Sequence, residues 1–344
     1  MRFYIHIPFC VSKCSYCSFA SVTNQSNVIK YFEALNLDLE RFLPLKNNIK
    51  SIYFGGGTPS LINAKYYKNI FDKFKNYIDN ETEISIEANP NSLTYEWIQN
   101  MLDYGVNRIS LGVQSFNDKK LLFLNRAHTS KIAIEKIMML KKIGINFSID
   151  IIYGTFLDDK KMLDDELSVI KNLNINHLSA YTLILENNTP FANKTEFLQK
   201  NDELNCYFYN ELNNLGLKAY EISNFATNIK YECNHNKAYW NKENYIGLGL
   251  SSVGTTELKR FYASNDLIEY IKNPTKRICE TLSLDDNKFE KIFLGLRSSV
   301  GVDINLVDIN KLKILENDGL IKIINNRFYN NNYLLSDEIA LFIS

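Results

Sequence analysis

Three thiols crowd into eight positions of the 344-residue chain, Cys10-Val-Ser-Lys-Cys14-Ser-Tyr-Cys17, and no other stretch carries a sharper chemical signal. A loop this short brings three thiolates near enough to bind one metal centre. Structural zinc needs four protein ligands in a closed tetrahedron, and the nearest fourth candidate is His6, on the segment ahead of the loop. A [4Fe–4S] cluster normally takes four cysteines, so three leave one iron open to an outside ligand. Cys206, Cys233 and Cys279 are scattered singly. The pattern is ligand spacing rather than a disulfide framework, and it fits a reducing, cytoplasmic compartment.

Other residues suit a small polar ligand. Gly55, Gly56 and Gly57 let the backbone approach a ligand where a Cβ would collide, and Thr58 adds a hydroxyl. Glu87 and Asp150 can accept from ribose hydroxyls, as acidic residues at strand ends do in nucleotide sites. Arg126 offers a planar fork for a carboxylate, with Gln114 as a neutral polar neighbour. His177 reads as structural. Cys233 lies two residues before His235, yet no CxxCH run exists, so c-type haem attachment is not indicated.

These residues need a frame. Six β-rich runs, Phe3 to Ile7, Ser51 to Phe54, Glu83 to Glu87, Arg108 to Gln114, Phe147 to Tyr153 and His177 to Leu185, alternate with segments whose apolar residues recur at helical spacing. The helical segments are Val28 to Leu43, Tyr66 to Ile78, Glu96 to Tyr104, Ile132 to Ile143 and Met162 to Leu173. Such alternation predicts an α/β fold, an incomplete (β/α)6 parallel barrel. Cys10, the glycine run, Glu87 and Gln114 follow or end successive strands, and Asp150 lies within the fifth. Loops after the strands build the active face of a β/α barrel, so these residues should converge there.

After about residue 190 the rhythm changes, and residues 191–284 read as a connecting region with a helix near Asp202 to Leu215, a short strand Ala219 to Ile222 and a long loop from Cys233 to Gly254. Residues 285–344 read as a winged-helix-like module: two helices, Gly319 as a C-cap, then two strands. Its second helix carries no basic patch, which favours a lid or docking role over nucleic-acid binding. Thirty-nine basic against 39 acidic residues leave no net field for nucleic acid or anionic lipid. No run approaches the roughly 18 apolar residues of a membrane span, and no secretion signal is credible.

The run Tyr4-Ile-His6-Ile-Pro8-Phe-Cys10-Val-Ser-Lys-Cys14-Ser-Tyr16-Cys17 resembles the signature of radical S-adenosylmethionine (SAM) proteins. The likeness continues through Phe54 to Ser60, Glu87-Ala-Asn-Pro90, Leu111 to Phe116, Asn125-Arg-Ala-His128 and Ile149 to Gly154, and so covers most of the first 190 residues. It implies a [4Fe–4S] cluster on Cys10, Cys14 and Cys17, with SAM on its open iron. The glycine loop, including Gly56, Gly57 and Thr58, would meet the SAM amino group, and Arg126 its carboxylate. Tyr4, on the face opposite Phe3 and Ile5, would point toward the cofactor, and Tyr16 would pack on adenine. His6 and His128, neighbours of Tyr4 and Arg126, can face the same ligand.

Within that superfamily the sequence is similar to the branch holding oxygen-independent coproporphyrinogen dehydrogenase and the HemW-type haem chaperones. The dehydrogenase carries a fourth cysteine two positions after the triad, where this chain has Phe19, and an extension ahead of the cluster strand, where this chain has nine residues before Cys10. Both departures favour the chaperone. His235-Asn-Lys-Ala-Tyr239-Trp240 is similar to the haem-binding motif of the chaperones, with a loop imidazole to ligate iron and two flat rings for the macrocycle. The resemblance implies haem passed to an acceptor protein, with a membrane-associated respiratory enzyme one candidate and a homodimer one candidate assembly. The alternative it leaves is a radical enzyme acting on a porphyrinogen.

Overall fold

Strict alternation of side chains across six strands sets the architecture. The computed structural model describes residues 1–45 and 48–343. Strands β1 (Arg2–Ile7), β2 (Ser51–Gly56), β3 (Glu83–Ala88), β4 (Arg108–Gln114), β5 (Asn146–Tyr153) and β6 (His177–Thr182) pair in chain order, all parallel. Between them run α1 (Val28–Glu40), α2 (Lys68–Phe74), α3 (Tyr95–Asp103), α4 (Asp118–Phe123), α5 (Ser130–Ile143) and α6 (Lys160–Leu173). Phe3, Ile5, Ile52, Phe54, Ile84, Ile86, Ile109, Leu111, Ile149 and Ile151 bury themselves on the outer, helix-covered face of the sheet. The residues between them turn inward. Helix starts are capped as their sequences allow: Thr94, Thr129 and Asp159 each accept a backbone N–H from the first turn of α3, α5 and α6.

The six-stranded partial barrel is as the alternation predicts, but the sheet does not stop at residue 190. After α7 (Asp202–Asn214), β7 (Lys218–Ala219) and β8 (Asn224–Ala226) add antiparallel to the edge of β6. The expected loop from Cys233 to Gly254 holds α8 (Asn234–Trp240) and β9 (Ile246–Leu248), and β9 pairs parallel with β1 at the opposite edge. Nine strands thus form one open sheet. Phe208, Leu212, Phe225, Leu248 and Tyr270 share the barrel's core, so the middle region is wall rather than tether.

Beyond it, β10 (Val253–Thr256), β11 (Lys259–Tyr262), α9 (Leu267–Lys272) and β12 (Ile278–Thr281) make a small antiparallel flap. The C-terminal module contains α10 (Leu284–Leu296), β13 (Val302–Asp303), α11 (Ile309–Asn317), β14 (Ile321–Ile324), β15 (Arg327–Asn330) and α12 (Ser336–Ile343). It has its own core around Leu296, Leu312 and Phe328. A capping box at Ser283 and Asp286 starts α10, and Gly319 at φ +70° ends α11. Among the described residues, no helix is long and apolar enough to cross a membrane.

A buried carboxylate fastens the late edge strand to the early helix. Asp38 on α1 accepts from Arg277 Nη2 at 2.7 Å, from Tyr270 Oη at 3.0 Å and from the Gly249 N–H at 3.2 Å, and pairs with Arg41. Its side chain is 0% exposed, and that of Arg277 is 6% exposed. Removing one partner strands the other charge, which typically costs about 3–5 kcal/mol. We expect Asp38→Ala to lose stability on that scale, read from the urea midpoint at constant slope; a loss below about 1 kcal/mol would mean that β9 is held some other way.

Candidate cofactor site

The inward side chains enclose a cavity of about 470 Å³. Ordinary β/α barrels fill this space with branched aliphatics. Here the strands present Tyr53, Ser85, Glu87, Arg108, Ser110, Gln114, Ser148, Asp150, His177 and Ser179, with Ala88 and Ile152 as apolar exceptions. The three sequence-predicted thiols, Gly56, Gly57, Thr58, Glu87, Gln114, Arg126, Asp150 and Tyr16 all line this one lumen.

The cysteine loop is held on two sides. Its neck closes where Cys10 N–H reaches Val22 O at 3.0 Å and Val22 N–H reaches Pro8 O at 2.8 Å. Its far side is tied to the turn after α4, by Ser15 N–H to Leu124 O at 3.3 Å and Asn125 Nδ2 to Lys13 O at 3.0 Å. Arg126 Nη1 lies 3.2 Å from Cys14 Sγ, and Thr58 Oγ1 lies 3.6 Å from Cys10 Sγ. Burial pushes the Cys10 and Cys17 thiols up; Cys14 beside them pushes the same way, and the Thr58 hydroxyl pulls Cys10 back. Among the described residues no three His, Cys, Asp or Glu side chains converge on a point able to hold a single ion. A cubane takes one thiolate per iron, so its three thiols need not meet at a single point. His6, the candidate fourth ligand for zinc, instead bonds Ala20 O through Nε2 at 2.7 Å.

The glycine run has a different reason from the one expected. A Cβ on Gly56, whose φ is +119°, would sit 2.5 Å from the His6 ring; one on Gly57 would sit 2.8 Å from Phe9 O and 3.0 Å from Cys10 Sγ. The glycines let β2 press against the cysteine loop while still lining the lumen. Gly56 N–H also donates to Glu87 Oε2 at 3.0 Å, and Tyr53 Oη donates to Oε1 at 3.0 Å.

Arg126 fits a carboxylate. Nη2 donates to Gly112 O at 2.7 Å, Nη1 faces the cysteine sulfur, and Nε is buried without a partner. Gln114 follows a register shift in β4 and holds φ at +68°, a conformation that strains a non-glycine residue and recurs at ligand sites. Burial and the neighbouring Asp150 push Glu87 up to about 7; burial pushes Asp150 up to about 6, against hydrogen bonds from Ser179 and Ser110.

Other placements differ from expectation. Tyr4 does not face the lumen; it lies beside Tyr53, with its hydroxyl 3.0 Å from His6 Nδ1. His128 is buried against Val113 O at 2.9 Å, outside the lumen wall. Tyr16 lines the lumen while packing on Leu124, Ile152, Leu183 and Phe191. His235 is not on an open loop. It is 0% exposed within α8, with Nδ1 at 2.8 Å from Ser51 Oγ, Nε2 at 2.9 Å from Tyr239 Oη, and the ring stacked on Tyr53 at 5.3 Å. Glu83 clasps this helix, accepting from the N–H groups of Asn234 at 3.0 Å and His235 at 2.9 Å and from the Cys233 thiol. With both nitrogens taken, His235 is no ligand in this conformation. Ser85, Arg108 and Ser179 belong to the lumen but escaped sequence reasoning; their signal is polar residues alternating with Ile and Leu along β3, β4 and β6.

The radical SAM superfamily model matches residues 4–166. The heme chaperone HemW of Lactococcus lactis is 36% identical over 324 residues, 90% of this chain and 84% of that one. That of Buchnera aphidicola from Schizaphis graminum is 40% identical, over 78% and 73%, and that of Bacillus subtilis 30%, over 87% and 84%. Coproporphyrinogen III oxidase (HemN) of Escherichia coli, described as a radical SAM enzyme, superposes with a TM-score of 0.80 at 19% identity, over 99% of this chain and 89% of that chain. At that identity the likeness speaks for the fold.

The raised carboxyls give a measurable signature. Folded Glu87 keeps a proton that the unfolded chain releases near its ordinary value of 4.5, so its support for the fold is complete below that value and is lost as pH rises through about 7. All four histidines are pushed down by burial, and they act in the opposite sense, losing support as pH falls. The difference between variants isolates the carboxyl. Relative to the parent, cofactor-free Glu87→Gln should gain about 1–3 kcal/mol of stability between about pH 5 and about pH 8, read from urea unfolding; a difference that stays flat with pH would clear Glu87 of the role.

Proposed function

Because this chain belongs to the radical SAM superfamily, and within it to the HemW haem chaperone family, we propose that it binds haem and passes it to an acceptor protein. Cys10, Cys14 and Cys17 would hold a [4Fe–4S] cluster, and the lumen an exchangeable SAM. Such a cluster supplies an electron and a coordination site to SAM when bound. The protein's own part is positional: the free Nε of Arg126 awaits a carboxylate, and Glu87 and Asp150 offer acceptors for hydroxyls. Gln114 and Tyr16 close the same chamber.

The observation that carries haem binding is the mouth of the lumen. Val11, Phe19 and Ile184 line it while standing 65%, 66% and 67% exposed. Large apolar side chains left this open beside half-buried thiols suit a flat apolar partner, and covering each is worth at most about 1.5–3 kcal/mol. Phe19 takes the position where a fourth cysteine would make the loop a different ligand set. We therefore place the macrocycle over this mouth. Ligation by His235 would require α8 to leave β2, breaking the bonds to Ser51 and Glu83, or Tyr239 of the same helix to release Nε2. Burial pushes that imidazole down to about 3, so it is neutral where it sits; release from α8 would remove that cause.

Anaerobically reconstituted protein titrated with haemin separates these routes. Phe19→Asp should weaken haem binding at least tenfold, about 1.4 kcal/mol, with its iron content kept. His235→Ala should lower thermal stability while shifting haem affinity less than threefold. The reverse pattern, with an altered Soret band in His235→Ala and none in Phe19→Asp, would move the haem to α8. Incubation with SAM, a reductant and coproporphyrinogen should give no stoichiometric protoporphyrinogen; its formation would replace the chaperone reading with an enzymatic one.

A further inference from the structure

Below the cofactor positions the lumen ends in a pocket that the preceding reading leaves unused. Its floor is Cys233 and Asn236; its walls are Ser85 on β3, Arg108 on β4 and His177 on β6. Ser85 and Arg108 are register partners. From Gly112, where Arg126 is anchored, Arg108 lies four residues down the strand, about 13 Å at the usual rise. This is a separate level of the chamber.

Three buried groups of this lining each keep an atom with no partner. Arg108 is 3% exposed; Nη1 donates to Tyr231 O at 2.8 Å, while Nη2 has no partner. Among the described residues no carboxylate lies within ion-pair distance of it. Ser85, 1% exposed, has an unpartnered Oγ. His177, also 1% exposed, places Nε2 at 2.8 Å from Tyr220 Oη and leaves Nδ1 unpartnered. Tyr220 Oη accepts the Cys233 N–H at 3.1 Å and can give its own hydrogen to His177 Nε2. Burial and Arg108 keep the ring neutral; with that hydrogen on Nε2, the ring's single proton is on Nδ1, the nitrogen left without a partner.

A buried guanidinium without a counter-charge is costly, and folded proteins keep one where an anion completes it. The acids of the chamber do not discharge it. Glu83 is spent on Cys233, Asn234 and His235, and Glu87 and Asp150 stand higher on the strands. From these contacts we propose that Arg108, His177 and Ser85 form an anion subsite at the foot of the lumen that takes the carboxylate of a small free organic acid. One positive charge and three donors match the single charge and two oxygens of a carboxylate; a phosphate dianion would leave acceptors and charge unanswered. The subsite shares no residue with the mouth where haem is placed.

The test is thermal unfolding of the cluster-reconstituted chain, free of SAM and haem, in sodium acetate against sodium chloride at equal ionic strength. Acetate should raise the midpoint of the parent, with an apparent Kd in the millimolar range that weakens at least tenfold in Arg108→Met and less in Ser85→Ala. Arg126→Met should keep the acetate response, which sets this subsite apart from the upper arginine. Arg108→Met, relieved of its unpaired charge, should unfold no lower than the parent in chloride. If Arg108→Met does not fold, Arg108→Lys and His177→Phe supply the comparison by 13C-acetate line broadening. Equal midpoints in acetate and chloride would mean a site filled by water or halide alone, and an acetate response lost with Arg126 but kept without Arg108 would refute the subsite.

Discussion

A parallel sheet that turns its polar residues inward is the constraint on which the rest depends. Hydrophobic burial is satisfied on the outer face, where Phe3, Ile52, Ile86, Leu111, Ile149 and Leu178 meet the helices. The inner face then need not pack. It carries hydroxyls, carboxyls and guanidinium groups that would be expensive to bury dry, and it avoids that cost by surrounding a cavity. The raised carboxyls of Glu87 and Asp150, the unmatched Arg108 and the free Nε of Arg126 express one state of affairs, a polar chamber waiting for polar contents.

The mouth and the chamber are mechanically joined. Gly56 and Gly57 let β2 close on His6 and on the cysteine loop, and the Gly56 N–H grips Glu87 on the next strand. The loop is in turn tied to the turn that carries Asn125 and Arg126. The sulfur ligands, the arginine and the acids are therefore positioned by neighbouring backbone rather than by long side chains. That stiffness suits a centre whose ligands must hold their spacing whether or not the cluster is loaded.

Much of this was legible in the chain. The six β-rich runs name the six strands to within a few residues at their ends, since short, apolar and β-branched stretches leave little choice of structure. The thiols and the residues at strand ends meet because a parallel barrel collects them on one face. What escaped detection had weaker local signals. β8 and β9 are three residues long and owe their pairing to sheet edges built far away in the chain. α8 is written in Asn, Lys and His, a composition that reads as loop. The burial of His235 depends on Ser51 and Glu83, 184 and 152 positions distant, which no local pattern reveals. Alternation gives the face of a strand but not the height at which a side chain meets its neighbours, and Tyr4 is found beside Tyr53.

The clasp between Glu83 and the start of α8 also works as a stopper. Cys233 and Asn236 are the chamber's underside, so any excursion that frees the imidazole of this helix opens a drain beneath whatever the barrel contains. Water entering there would dilute the field of every charge inside. One short helix is thereby both the seat of a buried imidazole and part of the wall of the chamber.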